Sequence, residues 1–164
     1  MFRQTYAIVA RGLAPSASDP VDQKPQSTNS DSIRRQIMQF KLRDFDVAAY
    51  FSGKNFVCGT LNLSVSPSEI RIARPKHFFD DVRWTDKLDR PGQVPFVESF
   101  YIDEARIVFN NSTYAALLYM PDPLNKPPLE TPQTVIEVIA ETIPSISYGC
   151  RLMLEYAEKA ITVR

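Results

Sequence analysis

The feature that most limits how this chain can fold is the stretch Phe96–Met120, which reads FVESFYIDEARIVFNNSTYAALLYM. It contains two apolar runs, Arg106–Phe109 and Tyr114–Met120, separated by the polar tetrapeptide Asn110–Thr113. Runs rich in β-branched and aromatic residues on either side of an Asn-containing loop predict a β-hairpin. The second run does not alternate polar with apolar residues, so both faces of its strand need to be covered by other parts of the chain.

The segment Thr131–Val163 is the predicted cover, in the form of two helices. Thr131-Pro132 has the pattern of a helix start, a capping residue followed by proline at the first helical position. Pro144 would end this helix and Ser145 would cap the next one. The second helix would carry an apolar stripe at helical spacing, formed by Ile146, Cys150, Met153, Leu154, Ala157 and Ile161.

The chain before the hairpin predicts a polar segment and several strands. Thr5–Ala10 is either a short strand or a frayed end, and Arg11–Ser32 has too few apolar residues to form a core, which predicts flexibility. For Ile37–Tyr50 we favour a strand over a short helix capped by Ser32. Phe56–Val65 and Glu69–Ala73 alternate polar with apolar residues, so the three pieces predict a meander.

These assignments define the expected architecture. Arg74–Gln93 is predicted to be a charged surface loop or a short helical turn, and residues 121–130 a stiff Pro-rich connector. We therefore expect an α+β fold in which two C-terminal helices pack on one face of a mostly antiparallel sheet of five or six strands. Residues 1–32 would form a short strand or a frayed end, followed by a flexible Pro/Ser-rich arm or loop. Residues 33–164 would form one domain, β-rich over 33–120 and helical over 131–163.

Composition excludes several classes of function. The formal net charge is zero over 164 residues, so the chain as a whole has no basic field for nucleic acid or lipid. The N-terminus is too short in its apolar part for a signal peptide, and no apolar run reaches the length of a membrane span. We therefore expect a soluble, intracellular (cytoplasmic) protein.

The chain carries no recognisable catalytic or metal-binding motif. His77 is the single histidine, and Cys58 and Cys150 are the two cysteines. These residues are too few for a multi-histidine or zinc-type site, and no serine or cysteine has a nucleophile motif. The expectation is a protein that is not an enzyme, with no catalytic residues, no metal and no cofactor.

Charge is distributed unevenly along the chain. Residues 34–76 contain eight basic and three acidic residues, whereas residues 77–130 contain five basic and nine acidic ones. The basic half ends in a mixture of cations and aromatic residues that suits single-stranded RNA or DNA. This nucleic-acid-binding hypothesis rests on Arg71, Arg74, Lys76, Phe78 and Phe79.

Opposite charge on two halves of a chain also suits contact between identical subunits. The leading hypothesis is a self-associating assembly or interaction subunit, a homo-oligomer that buries the residues Ile146, Cys150, Met153, Leu154 and Ala157. The layout resembles that of small viral coat or matrix subunits, a resemblance that would imply a structural role. A third hypothesis is a small-molecule-binding or catalytic domain with a pocket near His77 and Tyr101.

Overall fold

The computed structural model describes residues 1–10, 35–84, 96–125 and 133–164, and over these ranges the chain is mainly β-sheet. A helical turn covers residues 35–37, and α1 spans Val47–Tyr50. The strands are β1 Phe2–Ala10, β2 Lys41–Leu42, β3 Phe45–Asp46, β4 Phe56–Ser64, β5 Ile70–Ile72, β6 His77–Trp84, β7 Phe96–Phe109, β8 Ser112–Pro121, β9 Val135–Glu141, β10 Arg151–Ala157 and β11 Ile161–Val163.

Six of these strands form a closed antiparallel barrel. Their order is β1–β4–β9–β8–β7–β10, and β10 pairs back with β1. Strand β7 is 14 residues long and serves two partners along one edge: Ala105–Val108 pair with β10, and Phe96–Ile102 pair with β6. Strand β6 therefore extends the sheet outside the barrel.

The barrel interior is filled by alternate side chains of its six strands. Leu61 and Leu63 of β4, Leu118 of β8 and Leu152 and Leu154 of β10 belong to one buried cluster. Connecting segments contribute the remaining members of the cluster. By the strand directions, Val65, Ile70, Ala160 and Ile161 close one end, whereas Ile143 and Ile146 lie at the other.

The predicted hairpin is confirmed. Strands β7 and β8 pair from Phe100 opposite Pro121 to Phe109 opposite Ser112. The turn consists of Asn110 and Asn111, with φ values of 49° and 61°. Positive φ at both central residues matches the right-handed twist of a hairpin, and asparagine tolerates it better than most residues do.

The prediction that β8 is covered on both faces is also confirmed, but the covering segment is different. Ala116, Leu118 and Met120 face the barrel interior, whereas Leu117 and Tyr119 face a second cluster on the outer surface. Residues 35–51, here called the cover segment, pack on this outer surface. The outer core contains Ile37, Phe40, Phe45, Val47 and Phe51 of the cover segment and Phe79, Trp84, Phe100, Ile102, Leu117, Tyr119 and Ile139 of the sheet.

The predicted α+β fold with two C-terminal helices is wrong. The residues assigned to helices form β9, β10 and β11 instead. In β10, Leu152, Leu154 and Tyr156 are buried and the residues between them face outward, which is the period of a strand. The start of the predicted first helix, Thr131-Pro132, lies outside the described residues.

Other predicted elements also differ. Residues Ile37–Tyr50 belong to the cover segment, where the short strands β2 and β3 pair with each other and α1 follows, and they do not form a strand of the main sheet. Strand β4 pairs with β1 and β9, and β5 pairs with β11, so there is no meander. Within the predicted loop Arg74–Gln93, His77–Trp84 form β6. Thr5–Ala10 lie in β1, and the predicted flexible segment Arg11–Ser32 lies outside the described residues.

Candidate functional site

Strand β1 presents an apolar face to solvent. Ala7 and Val9 point into the barrel, which leaves Phe2, Tyr6 and Ile8 on the outside, 36%, 61% and 48% exposed. This side of the barrel is not the side that the cover segment packs on. Exposed large apolar side chains that are contiguous on one surface mark an interaction site more often than single ones do.

Arginine side chains lie over the aromatic rings of this surface. The guanidinium carbon of Arg151 is 4.1 Å from the ring centroid of Tyr6, and that of Arg106 is 4.8 Å from the centroid of Phe2. The small residue Ala157 pairs with Phe2 in the neighbouring strand, which leaves room for Arg106 to extend across it. Each arginine gains a cation–π contact and keeps its charge at the surface.

The surface continues onto β10 and β7. Met153 is opposite Tyr6 in β10, and Val108 is opposite Met153 in β7. Glu155 adds a negative charge, and its carboxylate accepts a hydrogen bond from the Gln4 amide at 2.7 Å. We call this surface the β1 face; it comprises Phe2, Gln4, Tyr6, Ile8, Arg106, Val108, Arg151, Met153 and Glu155.

One edge of β1 is paired along only part of its length. Phe2–Ile8 pair with β10 on one side, whereas on the other side β4 pairs with Ile8, Val9 and Ala10. In the described ranges no strand pairs with the second edge of residues 2–7. An incompletely paired edge beside exposed apolar side chains is a site for pairing with another chain.

The residues predicted for self-association do not form one surface. Leu154 is fully buried inside the barrel, and Ile146 is buried at one of its ends. Cys150, Met153 and Ala157 are half-buried. Of the five, Met153 belongs to the β1 face, and Ala157 lies next to it, opposite Phe2. The predicted helical stripe does not describe this surface. Residues 151–157 form a strand, and its outward-facing side chains alternate with buried ones, as they do along β1.

The cations of the nucleic-acid hypothesis meet at one end of the barrel. Arg71, Arg74 and Lys76 are exposed there, and two backbone contacts bring further cations beside them. The Arg74 amide donates to the Lys159 carbonyl at 2.7 Å, and the Arg164 amide donates to the Glu69 carbonyl at 3.0 Å. We call this group the basic end; it comprises Arg71, Arg74, Lys76, Lys159 and Arg164.

The two predicted aromatic residues of this hypothesis have different environments. Phe78 is 39% exposed and packs against Tyr101, with ring centroids 4.7 Å apart. Phe79 is on the opposite face of β6, buried in the outer core against Phe40 and Phe100. Phe78 is therefore accessible to a base, whereas Phe79 stabilises the cover segment.

Part of the positive charge of the basic end is balanced, since Arg71 lies 3.8 Å from the Glu69 carboxylate.

His77 and Tyr101, the residues of the pocket hypothesis, do not converge. In the β6–β7 ladder His77 is opposite Ile102, and Phe78 is opposite Tyr101. Neighbouring positions of a strand point to opposite faces, so His77 lies on the outer-core face and Tyr101 on the other. The ring of His77 stacks on Phe45, with centroids 4.1 Å apart.

Among the described residues, no three His, Cys, Asp or Glu side chains come together to hold a metal ion. In this part of the chain, no helix combines the length and the apolar character that a membrane crossing requires. A comparison with protein-family models gives no match, and none of the curated proteins is significantly similar to the chain.

Proposed function

We propose that this protein is a non-enzymatic assembly subunit that self-associates through the β1 face. The observation that carries the proposal is the set Phe2, Tyr6 and Ile8, exposed on one face of β1 with Arg106 and Arg151 over the two aromatic rings. Tyr, Phe, Met and Arg are the residue types enriched at protein–protein interfaces. Aromatic and arginine residues also provide most of the binding energy there.

A second copy of the chain is the partner that best fits this surface. The β1 face holds two cations, Arg106 and Arg151, and the carboxylate Glu155. In a two-fold arrangement the same patch meets itself, so the arginines of one copy can face Glu155 of the other.

The oligomeric state tests the proposal directly. Light scattering after size exclusion, over a range of protein concentrations, should give a dimer or a higher oligomer. Tyr6→Lys with Ile8→Lys should give a folded monomer, because two buried, unpaired charges oppose association. Val97→Lys is the matched control, since Val97 is also an exposed apolar residue of the sheet, 45% exposed, and this variant should keep the wild-type oligomer.

Salt separates an apolar interface from a charge-driven one. Exposed charges are screened within about 10 Å at 0.1 M salt, so a contact held mainly by charge would dissociate as salt is added. A contact formed by the apolar residues of the β1 face should instead persist when salt is added. A wild-type protein that is monomeric at high micromolar concentration would contradict the proposal, as would equal effects of the β1-face variant and the control.

A second candidate function is binding of single-stranded RNA or DNA at the basic end. It is favoured by the position of the half-exposed Phe78 on the strand that follows Arg74 and Lys76. Cations that follow a nucleic-acid backbone beside an aromatic ring that stacks on a base are typical of such sites.

Salt-dependent binding tests the second candidate. Arg74→Ala with Lys76→Ala should weaken binding and reduce the salt slope by about two phosphate contacts. Phe78→Ala should cost about 1–3 kcal/mol of binding free energy. Lys54→Ala is the control, because Lys54 lies beside Glu141 at the other end of the barrel. No binding at low salt, or equal losses in the control, would exclude this function.

A further inference from the structure

His77 is the single histidine of the chain, and it is buried in an unusual way. Its side chain is 1% exposed, and among the described residues neither ring nitrogen has a hydrogen-bond partner. The ring lies flat against Phe45 of the cover segment, with an interplanar angle of 19°. Within the part of the chain that the structure describes, the Asp44 carboxylate lies within ion-pair distance, 3.9 Å from Nδ1, and is itself well exposed.

We propose that His77 is a pH-sensitive contact that holds the cover segment closed at neutral pH and allows it to open at mildly acidic pH. A neutral imidazole fits as an aromatic ring in the outer core. A protonated one would be a buried cation without a hydrogen bond, and such a group is costly to keep away from water. Opening of the cover segment would bring the ring into water.

The charged groups around His77 do not compensate for burial. Its pKa is lowered from the ordinary value of 6.5, first because burial disfavours the charged form and then because Lys76 is a neighbouring cation. Three carboxylates act in the opposite direction: Asp44 on the cover segment, and Asp103 and Glu104 on β7. Asp103 is occupied by the backbone amides of Lys76 and Glu104, each 2.8 Å away.

Two further titratable groups of the cover segment, Tyr50 and Asp46, act outside this pH range. Burial is the main cause that raises the pKa of Tyr50 to about 12, so its hydroxyl remains neutral near neutral pH. The hydroxyl lies 3.1 Å from the carbonyl oxygens of both Ala105 and Ala116. The pKa of Asp46 is lowered by hydrogen bonds from Lys41 and from the Ala49 amide, so this carboxylate stays charged.

The direction of the pH effect follows from the lowered pKa. Above the ordinary histidine pKa, His77 is neutral in both the closed and the open form, and pH does not change their ratio through this residue. As pH falls through that value, the open form binds a proton and the closed form does not. The ratio of open to closed molecules should rise about tenfold per pH unit until the pH reaches the pKa of the closed form.

Opening would also change what the sheet exposes. The sheet side of the outer core includes Phe100, Ile102, Leu117, Tyr119 and Ile139. Without the cover segment they would be an apolar surface. Trp84, the single tryptophan, lies in the same core with its ring 5.5 Å from that of Phe40, so its fluorescence should report the opening.

Amide hydrogen exchange of residues 35–51 tests the proposal. After correction for the chemical exchange rate, the opening constant should rise between about pH 7.5 and about pH 5, in the range where histidine titrates. His77→Phe keeps a ring against Phe45 and cannot titrate, so its opening constant should be independent of pH. Asp44→Asn is the second variant; it keeps the histidine and removes a carboxylate that favours protonation, so the rise should extend to lower pH.

A measurement on the wild-type protein keeps the proposal testable if a variant does not fold. Because the chain has one histidine, the NMR titration of its ring carbons reports His77 alone. The expected result is a pKa below 6.5, the ordinary value. A pKa at or above that value would overturn the proposal. The same is true of a wild-type opening constant that does not change with pH, or of an equal pH dependence in His77→Phe.

Discussion

At the scale of single residues, Tyr119 is a buried polar member of the outer core whose hydroxyl has a hydrogen-bond partner. Its hydroxyl donates to the Glu98 carboxylate at 2.6 Å, and both side chains are buried. Burial first, and the bond to Glu98 second, raise the pKa of Tyr119, so it stays protonated and donates at any ordinary pH. Hydrogen bonds to a charged group are stronger than those between neutral groups.

Tyr119→Phe should therefore reduce the free energy of unfolding by about 1–3 kcal/mol, since the substitution removes the donor and keeps the ring. Urea unfolding at neutral pH is the measurement. Tyr114→Phe is the control, because Tyr114 is a half-buried residue of β8 that belongs to neither the outer core nor the β1 face, and a change there should stay within about 0.5 kcal/mol. Equal losses in the two variants would show that the bond to Glu98 contributes nothing.

At the scale of elements, the β7–β8 hairpin contributes residues to both cores. The turn Asn110-Asn111 needs two residues at positive φ, a conformation that a branched side chain resists. Asn111→Ile should reduce stability by about 1–2 kcal/mol, whereas Asn111→Gly should leave it unchanged or raise it slightly. Thermal unfolding compares the two variants; equal stabilities would mean that the turn does not fix the register of β7 and β8.

Strand β8 separates the two cores, and its adjacent leucines test them independently. Leu117 and Leu118 are both fully buried, so each change to alanine should reduce stability by about 2–5 kcal/mol. Hydrogen exchange should distinguish them, because Leu117→Ala removes a contact of the outer core and should accelerate opening of residues 35–51. If Leu118→Ala accelerates that opening by the same factor, the two cores do not unfold separately.

At the scale of the whole molecule, β1 closes the barrel, because it pairs with β10 on one side and with β4 on the other. Phe2 lies opposite Ala157, and Ala10 lies opposite Asn62. A chain without residues 2–10 would leave β4 and β10 without a partner on one side, and Leu61, Leu63 and Leu154 without part of their cover.

Deletion of residues 2–10 should therefore abolish cooperative unfolding of the barrel, since a cooperative transition depends on one continuous core. Calorimetry would detect the loss of the transition. A synthetic peptide of residues 1–10 added to the truncated chain should restore it by supplying the strand. A truncated chain that unfolds with the wild-type enthalpy would show that the barrel does not depend on β1.

The amino-acid sequence determined those elements whose patterns are local. The Asn-Asn turn between apolar runs predicts the β7–β8 hairpin, and the uninterrupted run of β8 requires a cover on each face. The exposed cations and Phe78 were also found from sequence. The β1 face was missed, because its residues come from strands far apart along the chain, with Phe2 opposite Ala157 and Met153 opposite Val108, and no local pattern connects them.

The tertiary structure alone decided the secondary structure of the C-terminal third. Residues 146–161 have apolar positions at both helical and strand spacing, and over so short a run the two patterns cannot be distinguished. Strand β10 forms because β1 and β7 each offer an unpaired edge, and a strand between them satisfies both while burying Leu152, Leu154 and Tyr156. A helix at this position would bury a similar stripe but leave those backbone groups unpaired, which costs free energy wherever water is excluded.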